Sequence, residues 1–147
     1  MMKMLWLPAL LAGAILPLQA VINGRLGKEM GNPVLASLVS FLVGTVCLVL
    51  YCVATRAALP DAHALARIPA WAWIGGLTGA FYMVGVVTLV PRLGVGVTMG
   101  LVITGQITLS ALLDHFGLFG LEAHPLNAGR ACGIALLAAG VFLLKRF

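Results

Sequence analysis

The chain predicts an all-α integral membrane protein of five transmembrane helices, and three observations carry that reading. Hydrophobic residues make up 62% of the 147 and charged residues only 9%. The mean hydropathy is +1.11, a value that belongs to a chain whose solvent is lipid. The charged residues gather between apolar runs, and five of these runs reach the roughly 20 residues needed to cross a hydrocarbon core about 30 Å thick. Connections of a few to about 15 residues leave no room for a soluble domain, so 1–147 reads as a single helical unit.

The first helix is placed at 5–24. Lys3, the apolar stretch after it and Leu18-Gln19-Ala20 have the outline of a secretory signal, but leucine three positions before the cut is a poor match to A-x-A. The run therefore reads as a span. Pro17 lies inside it, where a missing N–H opens the hydrogen-bond ladder and kinks the helix, which makes it a candidate hinge. The second helix, 33–55, opens on Asn32-Pro33, a start with proline in the first turn. The third, 71–90, follows Pro69 and begins with Trp71 and Trp73, which suit the membrane interface. The fourth and fifth are placed at 94–116 and 126–144, with Pro60, Pro91 and Pro125 assigned to connections.

Helices in lipid hold together where small residues let backbones approach. Gly75/Gly79, Gly96/Gly100 and Gly129/Gly133 are spaced as GxxxG on three different helices. Cys47, Cys52 and Cys132 fall within apolar spans and read as small core residues. His63, His115 and His124 sit near helix ends without ligand spacing, so no metal is expected. There is no phosphate loop, dinucleotide fingerprint, nucleophile elbow or HExxH, hence no expected cofactor and no enzyme chemistry. The excess of five positive charges suits loops beside membrane lipid and is no argument for nucleic acid.

An odd number of spans puts the termini on opposite sides. One side then holds Lys3, Arg56, Arg67 and Arg130; the other holds Arg25, Lys28, Arg92, Lys145 and Arg146. Four against five gives the insertion machinery little to choose by. The expectation is insertion in both orientations, with an antiparallel homodimer as the working unit.

The segments QAVINGRLGKEMGNPVLASLVSFLVGT, WAWIGGLTGAFYMVGVVTLVPRLGVGVTMGLVITGQ and SALLDHFGLFG, followed by Arg130 and Gly133, resemble the five-helix YdcZ-type proteins of the drug/metabolite transporter superfamily. The resemblance covers nearly the whole chain. It implies one half of a ten-helix, inverted-repeat transporter in the bacterial inner membrane, completed by a second copy or a paired homologue. It says little about cargo.

Duplicating a five-span unit inverts its second copy, and inverted repeats place a binding site near the midplane of their interface. Gln19 and Asn23, four apart on the first helix, share a face. Gln106 lies near the middle of the fourth helix, with Ser110 one turn on and Asp114 about 12 Å along the axis. Tyr82, midway along the third, offers a ring and a hydroxyl. Such groups either line a solute cavity or bond helix to helix; Ser110 can also bond its own backbone. Asp114 reads either as a coupling site or ionic gate, or as an interfacial ion pair or cap near Gly117. Arg130 is its partner within the chain, and Arg25 and Arg92 of a second, antiparallel copy would reach the same side.

No acidic residue occupies the centre of the first helix, where an exporter of lipophilic cations needs one. Gln19 stands there instead, and an amide cannot exchange a proton at physiological pH. The expected function is therefore a transporter subunit that moves a small polar organic metabolite by alternating access, with Pro17 and the glycines of 94–105 as hinges. A passive ion channel and an accessory subunit docking a partner helix are the alternatives.

Overall fold

The computed structural model describes residues 6–147. The predicted helix start at residue 5 and the cation Lys3 lie outside the described residues. Among the described residues every regular element is helical: α1 (Trp6–Glu29), α2 (Pro33–Ala54), a short α3 (Ala62–Ala66), a 3-10 turn Ala70–Ile74 leading into α4 (Gly75–Leu93), α5 (Val95–Phe116), a second 3-10 turn Leu118–Gly120, and α6 (Ala128–Arg146). Among the described residues five helices are long and apolar enough to cross a membrane, the third being the run Ala70–Leu93.

Several ends differ from the sequence expectation because hydropathy stops before the hydrogen-bond ladder does. α1 runs to Glu29, not to residue 24, so Arg25 and Lys28 belong to its last turns and not to the connection. Arg25 and Glu29, one turn apart, form an ion pair at 2.5 Å on the helix surface. Glu29 thus joins Asp114 as a carboxylate on a spanning helix. α4 likewise passes through Pro91 to Leu93; Pro91 lies in its last turn, not in a connection. α6 starts at Ala128 because Asn127 is its cap, accepting the Arg130 N–H at 2.9 Å.

Turn chemistry explains the tight corners. After α1, Gly31 takes φ +66, and Asn32 then caps α2 by accepting the N–H groups of Val34 and Leu35 at 2.8 and 3.3 Å, with Pro33 in the first turn. α2 closes with Arg56 in the left-handed region, at φ +51, while the Ala57 N–H returns to the Cys52 carbonyl at 2.9 Å. Between α4 and α5 stands the single residue Gly94, whose φ of +80 and ψ of 162 are open only to glycine.

The chain divides into two compact units, one ending at Pro91 and the other beginning at Arg92. In the first, α1 packs on α2, and the core gathers Ala36, Met83 and Val87 with Leu26 against them. Gly24 and Gly27 bring α1 close to α4: a Cβ on Gly24 would lie 3.6 Å from Val90, and one on Gly27 would lie 2.9 Å from Val87. Pro17 is half-buried and the helix continues through it. In the second unit α5 packs on α6, with Gly100 seated against Val141, where a Cβ would come within 2.7 Å.

Among the described residues, Gly79 and Gly100 are the two of the six GxxxG glycines that meet another helix: a Cβ on Gly79 would lie 3.7 Å from Phe41. At Gly75, Gly96 and Gly133 a Cβ would meet nothing within 4 Å, and at Gly129 only the capping oxygen of Asn127. Cys47, Cys52 and Cys132, expected in the core, carry free thiols on exposed surfaces. The reason is geometric: a helix apolar on every side gives its sequence no preferred face to bury.

Candidate functional site

Two arrangements of polar groups stand out, one in each unit. The first is a cleft of about 260 Å³ lined by Gln19, Ser40, Phe41, Gly44, Thr45, Leu48 and Met83. Gln19 lies about 15 Å from the end of α1 at Glu29, and Ser40 about 10 Å from the start of α2 at Pro33. Both residues therefore lie within the candidate spans and not at their ends. Thr45 spends its hydroxyl on the Phe41 carbonyl at 2.8 Å. The Gln19 amide and the Ser40 hydroxyl make no hydrogen bond among the described residues. They are the polar groups this cleft presents.

Asn23, one turn beyond Gln19, does not line the cleft. It is 3% exposed and donates from Nδ2 to the Met83 sulfur at 3.3 Å, so it ties α1 to α4. Tyr82, next to Met83, is half-buried and also outside the cleft. The sequence reading missed Ser40. Ser37, Ser40 and Gly44 are spaced three and four apart on α2, a polar and small stripe that marks one face. Ser37 is buried and donates to the Pro33 carbonyl at 2.8 Å.

The second arrangement closes the corner between α5 and α6. The Arg130 guanidinium forks, donating from Nη2 to Asp114 Oδ2 at 2.6 Å and from Nη1 to the His124 carbonyl at 2.8 Å. The two side chains of the ion pair are 37% and 33% exposed, so water screens the pair only in part. Around it, the His124 N–H donates to the Asp114 carbonyl at 2.8 Å, and Gly117, at φ +58, turns the chain out of α5. The Leu126 N–H donates to His115 Nδ1 at 3.0 Å. That nitrogen must carry a lone pair, so this geometry is that of the His115 tautomer protonated on Nε2.

Beside the corner lies a cleft of about 280 Å³ whose lining includes Ser110, Asp114 and Arg130. Gln106, two turns before Asp114 on α5, is exposed and does not reach it. Only the later part of the predicted stripe is thus gathered into one place. Arg25 is engaged by Glu29, and Arg92 is exposed at the end of α4.

Among the described residues the fold is all helical, with five helices long and apolar enough to cross a membrane. No curated protein and no solved structure matches it. A family model does match, over residues 4–143. This helical, multi-pass chain belongs to the DMT-type family of inner membrane proteins described as "Putative inner membrane exporter, YdcZ".

Proposed function

We propose that the chain is one half of an inverted-repeat transporter that carries a small polar organic metabolite by alternating access, completed by an antiparallel second copy or a paired homologue. The observation that carries this reading is the Gln19 amide and Ser40 hydroxyl, open to a cleft within the candidate spans without partners among the described residues. Leaving such groups in hydrocarbon costs on the order of 2–7 kcal/mol each, so water, a solute or a partner helix must meet them. An amide and a hydroxyl donate and accept without changing charge, which favours neutral or zwitterionic cargo over simple organic cations. Asp114 holds Arg130 at one end of the spans, where the pair serves as an ionic gate. A coupling role there would require a proton or a cation to replace that arginine.

Cargo is tested with purified protein in liposomes, by counterflow of a panel of neutral, zwitterionic and quaternary-cationic metabolites. A neutral or zwitterionic solute is expected to show saturable exchange, and Gln19→Leu is expected to weaken it about tenfold, the worth of one or two hydrogen bonds. Saturable exchange of the quaternary cation alone would overturn the cargo class.

Assembly has its own test. A single cysteine added after Phe147 in a cysteine-free background, labelled in intact cells by an impermeant thiol reagent, is expected to react on about half of the molecules, because the Lys and Arg counts of the two sides nearly balance. Labelling of all or none of the molecules would remove the antiparallel homodimer and leave a paired homologue as the second half.

A further inference from the structure

We infer that the groove between α5 and α6 holds an anionic phospholipid, with its phosphate at Lys145 and an acyl chain along the helices. The groove encloses about 230 Å³ and is lined by Val97, Leu101, Thr104, Ala138, Val141, Phe142 and Lys145. Thr104, the remaining polar residue in that wall, donates its hydroxyl to the Gly100 carbonyl at 2.8 Å, so it turns its polarity inward. The groove therefore offers one free polar group, the Lys145 ammonium, at the end of an apolar trough.

Register along the two antiparallel helices sets the depth. Val97 is in the first turn of α5 and Lys145 in the last turn of α6, so both mark the same membrane boundary. From there the trough reaches back to Ala138, about 12 Å from the end of α6. A cation at headgroup level above an apolar channel into the hydrocarbon matches a phospholipid: a phosphate oxygen accepts from the ammonium while the acyl chain covers Val97, Leu101, Ala138 and Phe142. Among the described residues no carboxylate pairs with Lys145 or with Arg146 beside it. The described residues leave this cation without a countercharge, and an anionic lipid supplies one. A zwitterionic lipid fills the same trough but brings its own cation to the site.

The test uses the full chain in mild detergent and native mass spectrometry with phosphatidylglycerol or phosphatidylcholine of identical acyl chains. The wild type is expected to retain phosphatidylglycerol in preference. Lys145→Gln is expected to lower that retention about fivefold, one cation's share of the attraction, and to leave phosphatidylcholine unchanged. Ala138→Phe, which fills the trough at an exposed position, is expected to lower retention of both lipids. Arg146→Gln, outside the groove, is expected to lose less than Lys145→Gln. Equal losses from the two cation variants, or no preference in the wild type, would reduce the site to diffuse surface charge and overturn the proposal. So would efficient cross-linking of two copies through Ala138→Cys in a cysteine-free background, because a second copy would then occupy the groove.

Discussion

Gly27→Ala is expected to lower the melting temperature of the purified protein by roughly 3–6 °C, which corresponds to about 1–2 kcal/mol for a chain of this size. A Cβ at this position would lie 2.9 Å from Val87 Cγ1, 3.5 Å from the Pro33 Cα and 3.6 Å from the Ala36 Cβ. It would meet a wall on each side. Val87 is 2% exposed, and its branched side chain has one favoured rotamer in a helix, so it cannot swing away. Overpacking of this kind costs about 1–3 kcal/mol, while replacing glycine by alanine inside a helix returns about 1 kcal/mol. The overlap wins. In a Val87→Ala background the balance should reverse, and Gly27→Ala should become neutral or stabilising. Gly100→Ala, against Val141, should behave in the same way. Alanine at Gly75, Gly96 or Gly133, where nothing lies within 4 Å, should leave the melting temperature unchanged or slightly raised. Equal losses at all these positions would show that the contacts at Gly27 and Gly100 are not what holds the helices together.

Arg130→Ala is expected to cost about 2 kcal/mol, read as a fall of roughly 4–8 °C in melting temperature. The substitution removes both arms of the fork that ties Asp114 to the His124 carbonyl. Burial of the pair is partial, which keeps the loss below the value for a fully buried ion pair. Arg130→Lys should recover little, because an ammonium cannot reproduce two donors in the planar geometry of the guanidinium. Asp114→Asn should lose less than Arg130→Ala, since the amide oxygen still accepts one hydrogen bond. A double-mutant cycle should give a clear coupling energy between the two positions. Additive losses would mean that the corner is held by its backbone hydrogen bonds and caps, with the ion pair incidental.

The polar residues of the spans take roles that local sequence does not distinguish. Gln19, Asn23, Gln106 and Ser110 look alike on paper: each is a polar group at helical spacing inside an apolar run. Their fates differ because of residues far away in the chain. Asn23 is spent on Met83, 60 positions distant, whereas Gln19 opens on a cleft whose other polar group, Ser40, belongs to a different helix. The same holds for the ion pair. Asp114 and Arg130 are 16 positions apart, and they meet because Gly117 turns the chain and Asn127 starts α6 at the right point. The Asn127 cap was legible in residue type, yet nothing in the apolar pattern marked it.

By itself the sequence determined the solvent, the number and order of the spans, and the proline and asparagine start of α2. These follow from length and hydropathy, because a backbone in lipid must satisfy its own hydrogen bonds and a helix is the local way to do so. Only the tertiary structure decided which glycines touch a neighbour, which polar groups remain open, and which face of each helix is covered. Helices that are apolar all round have no polar side to set against an apolar one, so nothing local orients them. Their rotation is set by close packing between side chains distant in sequence, such as Val87 against Gly27 and Val141 against Gly100.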